Sequence, residues 1–434
     1  MTAIGLSGQM HGLVLVDAEG RPVRSCLTWA DRRASAEVGV LRRRLGRALL
    51  VTRLGNAVNT SFTAAKVLWL RRHDPKTLDH ARTMLLPKDY LRLRLTGERA
   101  TDPSDASATL LFDLRRREWS PAACAAAQID PATLPPVWPS AQIAGRLGAA
   151  AAAALGLRPG IPVATGAGDQ EAGMVGQGIL GPGTALVALG TGGQISLPLA
   201  RFQVDPRLRV HTLCHAVPAR WHLMGAILSA GQAAGWAARL LTSREGGIKR
   251  LTRMAANAPP GSGGLLFLPY LAGERTPHMD PEARGAYVGL GLHHGSADLA
   301  RAVLEGVAFA LRETLEIFDE LGLRPRRLSL AGGGAADPLW RQVVSDVFGR
   351  SLEVTATVDA SAVGAALLGG VAAGRFRSLA EVGRLVGGRI GLVQPDPRNA
   401  ARYQESFAVY RGLYRSLRRS FHILAESEAG PESR

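Results

Sequence analysis

Ile161-Pro-Val-Ala-Thr-Gly-Ala-Gly-Asp-Gln170 has the pattern of a buried strand over 161–165 that breaks at a glycine turn and hands a carboxylate, Asp169, to a helix over 170–177. Strand, glycine turn, acid and helix together make a site geometry. The glycines let a substrate come close to the backbone, and a carboxylate at the end of a strand can take a proton from a hydroxyl. Capping the following helix is an equally good account of Asp169 from its chemistry alone. A dinucleotide-binding fingerprint is excluded, because Glu171 stands where the third small residue is required.

Outward from that stretch the layers repeat. Strands at 184–189 and 194–198 are joined by Gly190-Thr191-Gly192-Gly193, which is hairpin-turn chemistry. A long amphipathic helix over 297–321 leads to a strand at 327–331 that runs into Gly332-Gly333-Gly334, followed by helices over 337–348 and 361–373 with a strand at 352–355 between them. This is the order of an α/β protein. Each glycine turn can offer backbone N–H groups to a phosphate, or can be a tight turn with no ligand. A Walker loop is ruled out, since it needs Gly-Lys and the four lysines follow Ala65, Pro75, Pro87 and Ile248. At the front, strands over 3–8 and 12–17 flank a loop carrying Gln9-Met10-His11, and helices are expected over 32–47 and 63–72. Met10 and His11 also suit core packing and a satisfied histidine. The rigid Pro135-Pro-Val-Trp-Pro139 suggests a domain boundary.

Composition narrows the class. A chain of 434 residues, 46% hydrophobic and 20% charged, resembles a soluble enzyme of two or three domains rather than a tail or a repeat array. The net charge of +16 comes from arginines scattered through helix-like segments without interleaved aromatics, so nucleic acid is not an expected partner. Cys26, Cys124 and Cys214, odd in number and far apart, fit a reducing cytoplasm. The alanine run at 149–155 is far short of a membrane span, and no membrane association is expected. His211, Cys214, His215 and His222 lack the ligand spacing of a zinc finger or ribbon.

Taken in order, Gln9-Met10-His11-Gly12, Trp29-Ala30-Asp31-Arg32-Arg33, Leu86-Pro-Lys-Asp-Tyr-Leu91, Gly168-Asp169, Gly190-Thr191-Gly192, Gly273-Glu-Arg-Thr-Pro-His278, Ala300-Arg-Ala-Val-Leu-Glu-Gly306, Gly332-Gly-Gly-Ala335, Leu339-Trp-Arg341 and Gly364-Ala-Ala366 resemble the FGGY family of carbohydrate kinases over nearly the whole chain. The resemblance implies an α/β fold of two actin-like (ribonuclease H-like) ATPase domains around a cleft: a sugar-binding domain at 1–180, a nucleotide-binding domain at 181–376, and a helical segment with a disordered tail at 377–434. It implies Asp169 as general base, with Gln9, Met10 and His11 on the sugar and Trp29, Asp31 and Arg33 shaping its pocket. Gly190, Thr191 and Gly192 would approach the phosphates, and Gly332, Gly333 and Gly334 would line the adenine and ribose site. The reaction implied is transfer of the ATP γ-phosphoryl group to the terminal hydroxyl of D-xylulose with Mg²⁺, positioning and electrostatics doing most of the work. No metal ligand is assigned, and a homodimer is allowed. Ala30 and Gln170 stand where family members usually have Asn. The family's opening Asp-x-Gly-Thr strand has no counterpart before Met1, so the first domain is expected to lack roughly 50 to 70 residues. Activity of the chain is accordingly expected to be impaired or lost. The alternative is a non-catalytic sugar- or nucleotide-binding remnant.

Overall fold

A computed structural model describes residues 1–242, 247–355, 359–386 and 388–428. The chain forms two compact units that interleave in sequence: Met1–Pro182, Pro198–Leu223 and Thr357–Gly388 make the first, and Gly183–Leu197, Met224–Ala356 and Arg389–Arg434 the second.

In the first unit Ser7–Gly8 pairs in parallel with Ala167–Gly168, Gly8 standing opposite Gly168. Val14–Val16 pairs antiparallel with Thr83–Leu85, and Ile143–Arg146 with Pro162–Ala164. The turn at Gly166 has φ +83°, and a Cβ there would lie 2.4 Å from Leu6 O, so both conformation and space demand glycine. The helix Thr63–His73 buries Val67, Leu68 and Leu70 in a core shared with Leu13, Leu15, Leu41 and Phe62, each such side chain contributing roughly 1.5–3 kcal/mol. The helix Pro87–Thr96 opens on proline and closes on Gly97 in the left-handed region.

The helix Asp169–Gly176 lies against the helix Ala360–Ala372 almost backbone to backbone. A Cβ on Gly364 would lie 1.8 Å from Ala172 O, and one on Gly176 2.0 Å from Ala360 O. The glycine of Gly364-Ala-Ala366 is there for this approach.

Strands of the second unit follow the order Gly193–Leu199, Thr184–Leu189, Arg327–Ala331, Leu352–Thr355, Arg389–Val393. Thr184–Leu189 and Gly193–Leu199 form the expected antiparallel hairpin, while Arg327–Ala331 is parallel to both Thr184–Leu189 and Leu352–Thr355. The helix Ser296–Glu320 keeps most of its middle buried. Pro338–Phe348 is capped by Asp337, whose carboxylate accepts from Trp340 N–H at 3.0 Å, and ends on Gly349.

Three expectations are corrected. The helix expected over 32–47 runs Ser35–Leu49, because Asp31 turns back to bind Arg33 N–H at 3.0 Å and keeps 31–34 outside the helix. The Pro135–Pro139 connector is no boundary but lies within the first unit, tied down by Trp119 Nε1–H to Pro135 O at 2.8 Å and Thr101 N–H to Pro136 O at 2.9 Å. Within 377–434 the helices Leu379–Leu385 and Pro397–Glu428 are joined by a strand, Arg389–Val393, which pairs antiparallel with Leu352–Thr355. Its side chains are half or fully exposed, so it lacks the alternation by which a strand is recognised. The expected disordered tail, 429–434, lies outside the described residues. Among the described residues no helix is long and apolar enough to cross a membrane.

Candidate active site

Asp169 is the first residue of its helix and Gly168 is the N-cap. Its Oδ1 accepts from the adjacent Gln170 N–H at 2.9 Å, not from the second or third amide that a capping side chain reaches, so the capping account is set aside. Its carbonyl is held by Ser361 Oγ–H at 2.9 Å. Burial, and then the neighbouring Glu171, push the Asp169 carboxyl up to about 6, a useful position for a base near neutral pH.

Behind it lies a neutral pair. Glu171 Oε1 and His222 Nε2 are 2.8 Å apart and fully buried; burial drives the carboxyl up to about 8 and the imidazole down to about 3, so both groups are uncharged near neutral pH. The neighbouring histidines are also taken up in protein contacts. His215 Nε2 meets Ile179 O at 3.1 Å, and His211 Nδ1 meets Asn56 Oδ1 at 2.9 Å. Among the described residues no group of three His, Cys, Asp or Glu side chains is placed to hold a metal ion.

Met10 and His11 come to the same place. Gly8 is paired with Gly168, and the buried Met10 thioether lies where a Gly168 Cβ would be 3.0 Å from Met10 Cγ. His11 sits at φ +67° and donates from Nδ1 to Ala108 O at 2.7 Å, with its ring edge-on to Phe62 at 4.9 Å. Its carbonyl accepts from Thr63 Oγ1–H at 3.1 Å and Lys66 Nζ–H at 3.0 Å. Gln9 is exposed beside them.

Asp31 and Arg33 pair with each other at 2.9 Å, and the Arg33 guanidinium lies over Trp69 at 5.0 Å. Burial works to raise the Asp31 carboxyl, but the Arg33 bonds and the charges of Arg33 and Lys66 outweigh it and hold the group low. Lys66 thus links this loop to His11. Trp29 keeps nearly half its surface exposed, at 46%.

In the second unit the two glycine turns leave the carboxyl ends of adjacent parallel strands, Ala188 standing opposite Ala331. Gly190 N–H donates to Gly192 O at 3.0 Å. The Gly190 and Thr191 carbonyls accept from Gly231 and Gln232 at 2.9 Å each, which anchors the start of the helix Gly231–Leu241. Gly332, at φ +92°, closes on Leu189: a Cβ there would be 2.5 Å from Leu189 O. Gly190, Thr191, Gly332 and Gly333 are exposed, with Gly192 and Gly334 half-buried. The carboxyl edge of parallel strands is where α/β sheets take up ligands.

Residues 1–176 match the N-terminal domain of the FGGY family of carbohydrate kinases, and residues 185–373 match its C-terminal domain. This chain belongs to that family. The kinase is 39% identical to the xylulose kinase of Escherichia coli strain K12 over 419 residues, which is 96% of this chain and 85% of that protein. It is 28% identical to the gluconokinase of Bacillus subtilis strain 168 over 438 residues, covering 98% and 85%. The crystal structure of xylulose kinase from Rhodospirillum rubrum superposes with a TM-score of 0.88 at 33% identity, covering 97% of this chain and 85% of that one.

Sequence reasoning missed the buried Glu171–His222 pair and the charged group around Lys88. Lys88-Asp89 stood in a quoted motif, and Asp102-Pro-Ser-Asp105 carries the Asp-Pro of a helix start, but nothing local reveals that these charges are buried together.

Proposed function

We infer that this kinase transfers the γ-phosphoryl group of ATP to the terminal hydroxyl of D-xylulose, giving D-xylulose 5-phosphate and ADP. The observation that carries the reading is Asp169 at the head of its helix, half-buried, next to the Gly168 against which Met10 packs, with its carboxyl pushed to about 6. Asp169 Oδ accepts the hydroxyl proton as the oxygen attacks the γ-phosphorus and the bond to the ADP oxygen breaks. His11, fixed through Nδ1–H, presents a ring of one orientation to the sugar. Gln9, Met10, Trp29, Asp31 and Arg33 complete its binding surface, while the turn Gly190-Thr191-Gly192 receives phosphate and Gly332, Gly333 and Gly334 the nucleoside. Mg²⁺ enters as part of the ATP substrate. Magnesium commonly rests on phosphates with few protein ligands. A cytoplasmic setting, where ATP is supplied, accords with three free cysteines.

The choice of ketose over aldonate is supported by the higher identity to the xylulose kinase than to the gluconokinase. ADP release measured with D-xylulose, glycerol and D-gluconate tests it. The highest kcat/KM is expected with D-xylulose, and a higher value with gluconate or glycerol overturns the assignment.

A further inference from the structure

Residues 102–108 touch both halves of the sugar site. At one end Ser104 Oγ accepts from Gly168 N–H at 3.1 Å, immediately before Asp169. At the other end Ala108 O accepts from His11 Nδ1–H at 2.7 Å. Between these points runs the short helix Pro103–Ser107, whose N-cap is Asp102. Asp102 Oδ2 accepts from Ser104 Oγ–H at 2.5 Å, Ser104 N–H at 3.0 Å and Ser140 Oγ–H at 2.7 Å.

The bracket is anchored from beneath. Lys88 Nζ lies 2.7 Å from Asp89, 3.0 Å from Asp102 and 3.3 Å from Asp105, all with side chains fully buried. Arg92 joins through Asp89 at 3.1 Å and holds Thr165 O at 2.9 Å, one residue before the Gly166 turn. Lys88 also backs the other loop, since a Cβ on Gly8 would lie 2.7 Å from Lys88 Cβ. Burying this many charges is expensive, and removing one partner from such a group costs far more than an exposed pair does. Packing alone would be met more cheaply by apolar residues.

We propose that Ser104, held by Asp102, which Lys88 anchors in turn, is a positioning residue that fixes the distance between Asp169 and His11 and so contributes to the choice of sugar. The inference rests on Asp169 as base and His11 as a sugar contact. Ser104 touches no reacting atom and acts through the Gly168 amide. An acceptor lost there frees the turn to shift, and a shift of about 1 Å at a reacting group can cost up to about 10²-fold in rate.

The test compares D-xylulose with its epimer D-ribulose in the full chain, because a ratio of two substrates does not depend on the fraction of folded enzyme. Ser104→Ala is expected to lower kcat for D-xylulose about tenfold and to narrow the kcat/KM preference for D-xylulose at least about threefold. Ser104→Thr, which keeps the hydroxyl, should recover most of the preference. Ser140→Ala, which removes another donor to Asp102 without touching Gly168, should leave the preference unchanged. If Ser104→Ala does not fold, Ser104→Cys, similar in size but a weaker acceptor, carries the same expectation. Equal losses on both sugars, or none, overturn the proposal while Asp169→Asn remains inactive. Should Asp169→Asn retain its turnover in the same assay, the base assignment falls and the positioning role falls with it.

Discussion

As the proposed base, Asp169 can act only when its carboxyl has lost its proton, and its environment decides when that happens. Burial has raised the group to about 6, so kcat/KM is expected to fall about tenfold for each pH unit below that value. A pH–rate profile measures the limb, and one breaking near 4 would mean that solvent reaches the carboxyl more freely. Asp169→Asn removes the acceptor and keeps the shape. It should reduce kcat by roughly 10² or more while sugar affinity, followed by thermal shift with D-xylulose, stays within a few-fold. The pattern of strand, glycine turn, acid and helix made Asp169 legible in the sequence as a candidate base. Ser104 and His222 were not, because their partners Gly168 and Glu171 lie 64 and 51 residues away and no local pattern encodes such a pairing.

The element that carries Asp169 owes its placement to the helix beside it. Gly364 and Gly176 remove the side chains that would separate Asp169–Gly176 from Ala360–Ala372, and Ser361 reaches the Asp169 carbonyl from that second helix. Gly364→Ala puts a methyl group 1.8 Å from Ala172 O, against backbone that cannot rotate away. Overpacking of this kind costs roughly 1–3 kcal/mol, which urea unfolding should register as a lower midpoint with unchanged slope. Moving the helix should also reduce kcat more than a surface control of equal stability. Unchanged kcat at equal stability would mean that the contact serves only cohesion. Gly364-Ala-Ala366 was visible as a motif, but its purpose was not. A small residue in a sequence says that something comes close without saying what.

Across the whole molecule, buried carboxyls tie stability to pH. Glu274 and Glu313 are each pushed to about 8 by burial, well above the value of about 4.3 expected in an unfolded chain. The folded state therefore holds protons that the unfolded state releases. Their contribution is fully present below about pH 4 and is lost as pH rises through about 8. Replacing both with Gln should flatten the decline in melting temperature between pH 5 and pH 9, and a decline of unaltered steepness would assign it to other groups. At this scale the α/β order of elements and the two glycine turns were legible from hydrophobic periodicity, whereas the edge strand Arg389–Val393 and the interleaving of the units were not, since topology is set by which surfaces meet. That interleaving governs how the protein can be made. A nascent chain that has emerged as far as Pro182 still lacks the helix Ala360–Ala372 that covers Asp169–Gly176, and it must wait for nearly two hundred more residues while the strands of the second unit are synthesised. At the usual pace of about 5–20 residues per second, the helix bearing Asp169 stays uncovered on the ribosome for roughly ten seconds or more, a window in which chaperone binding would matter most.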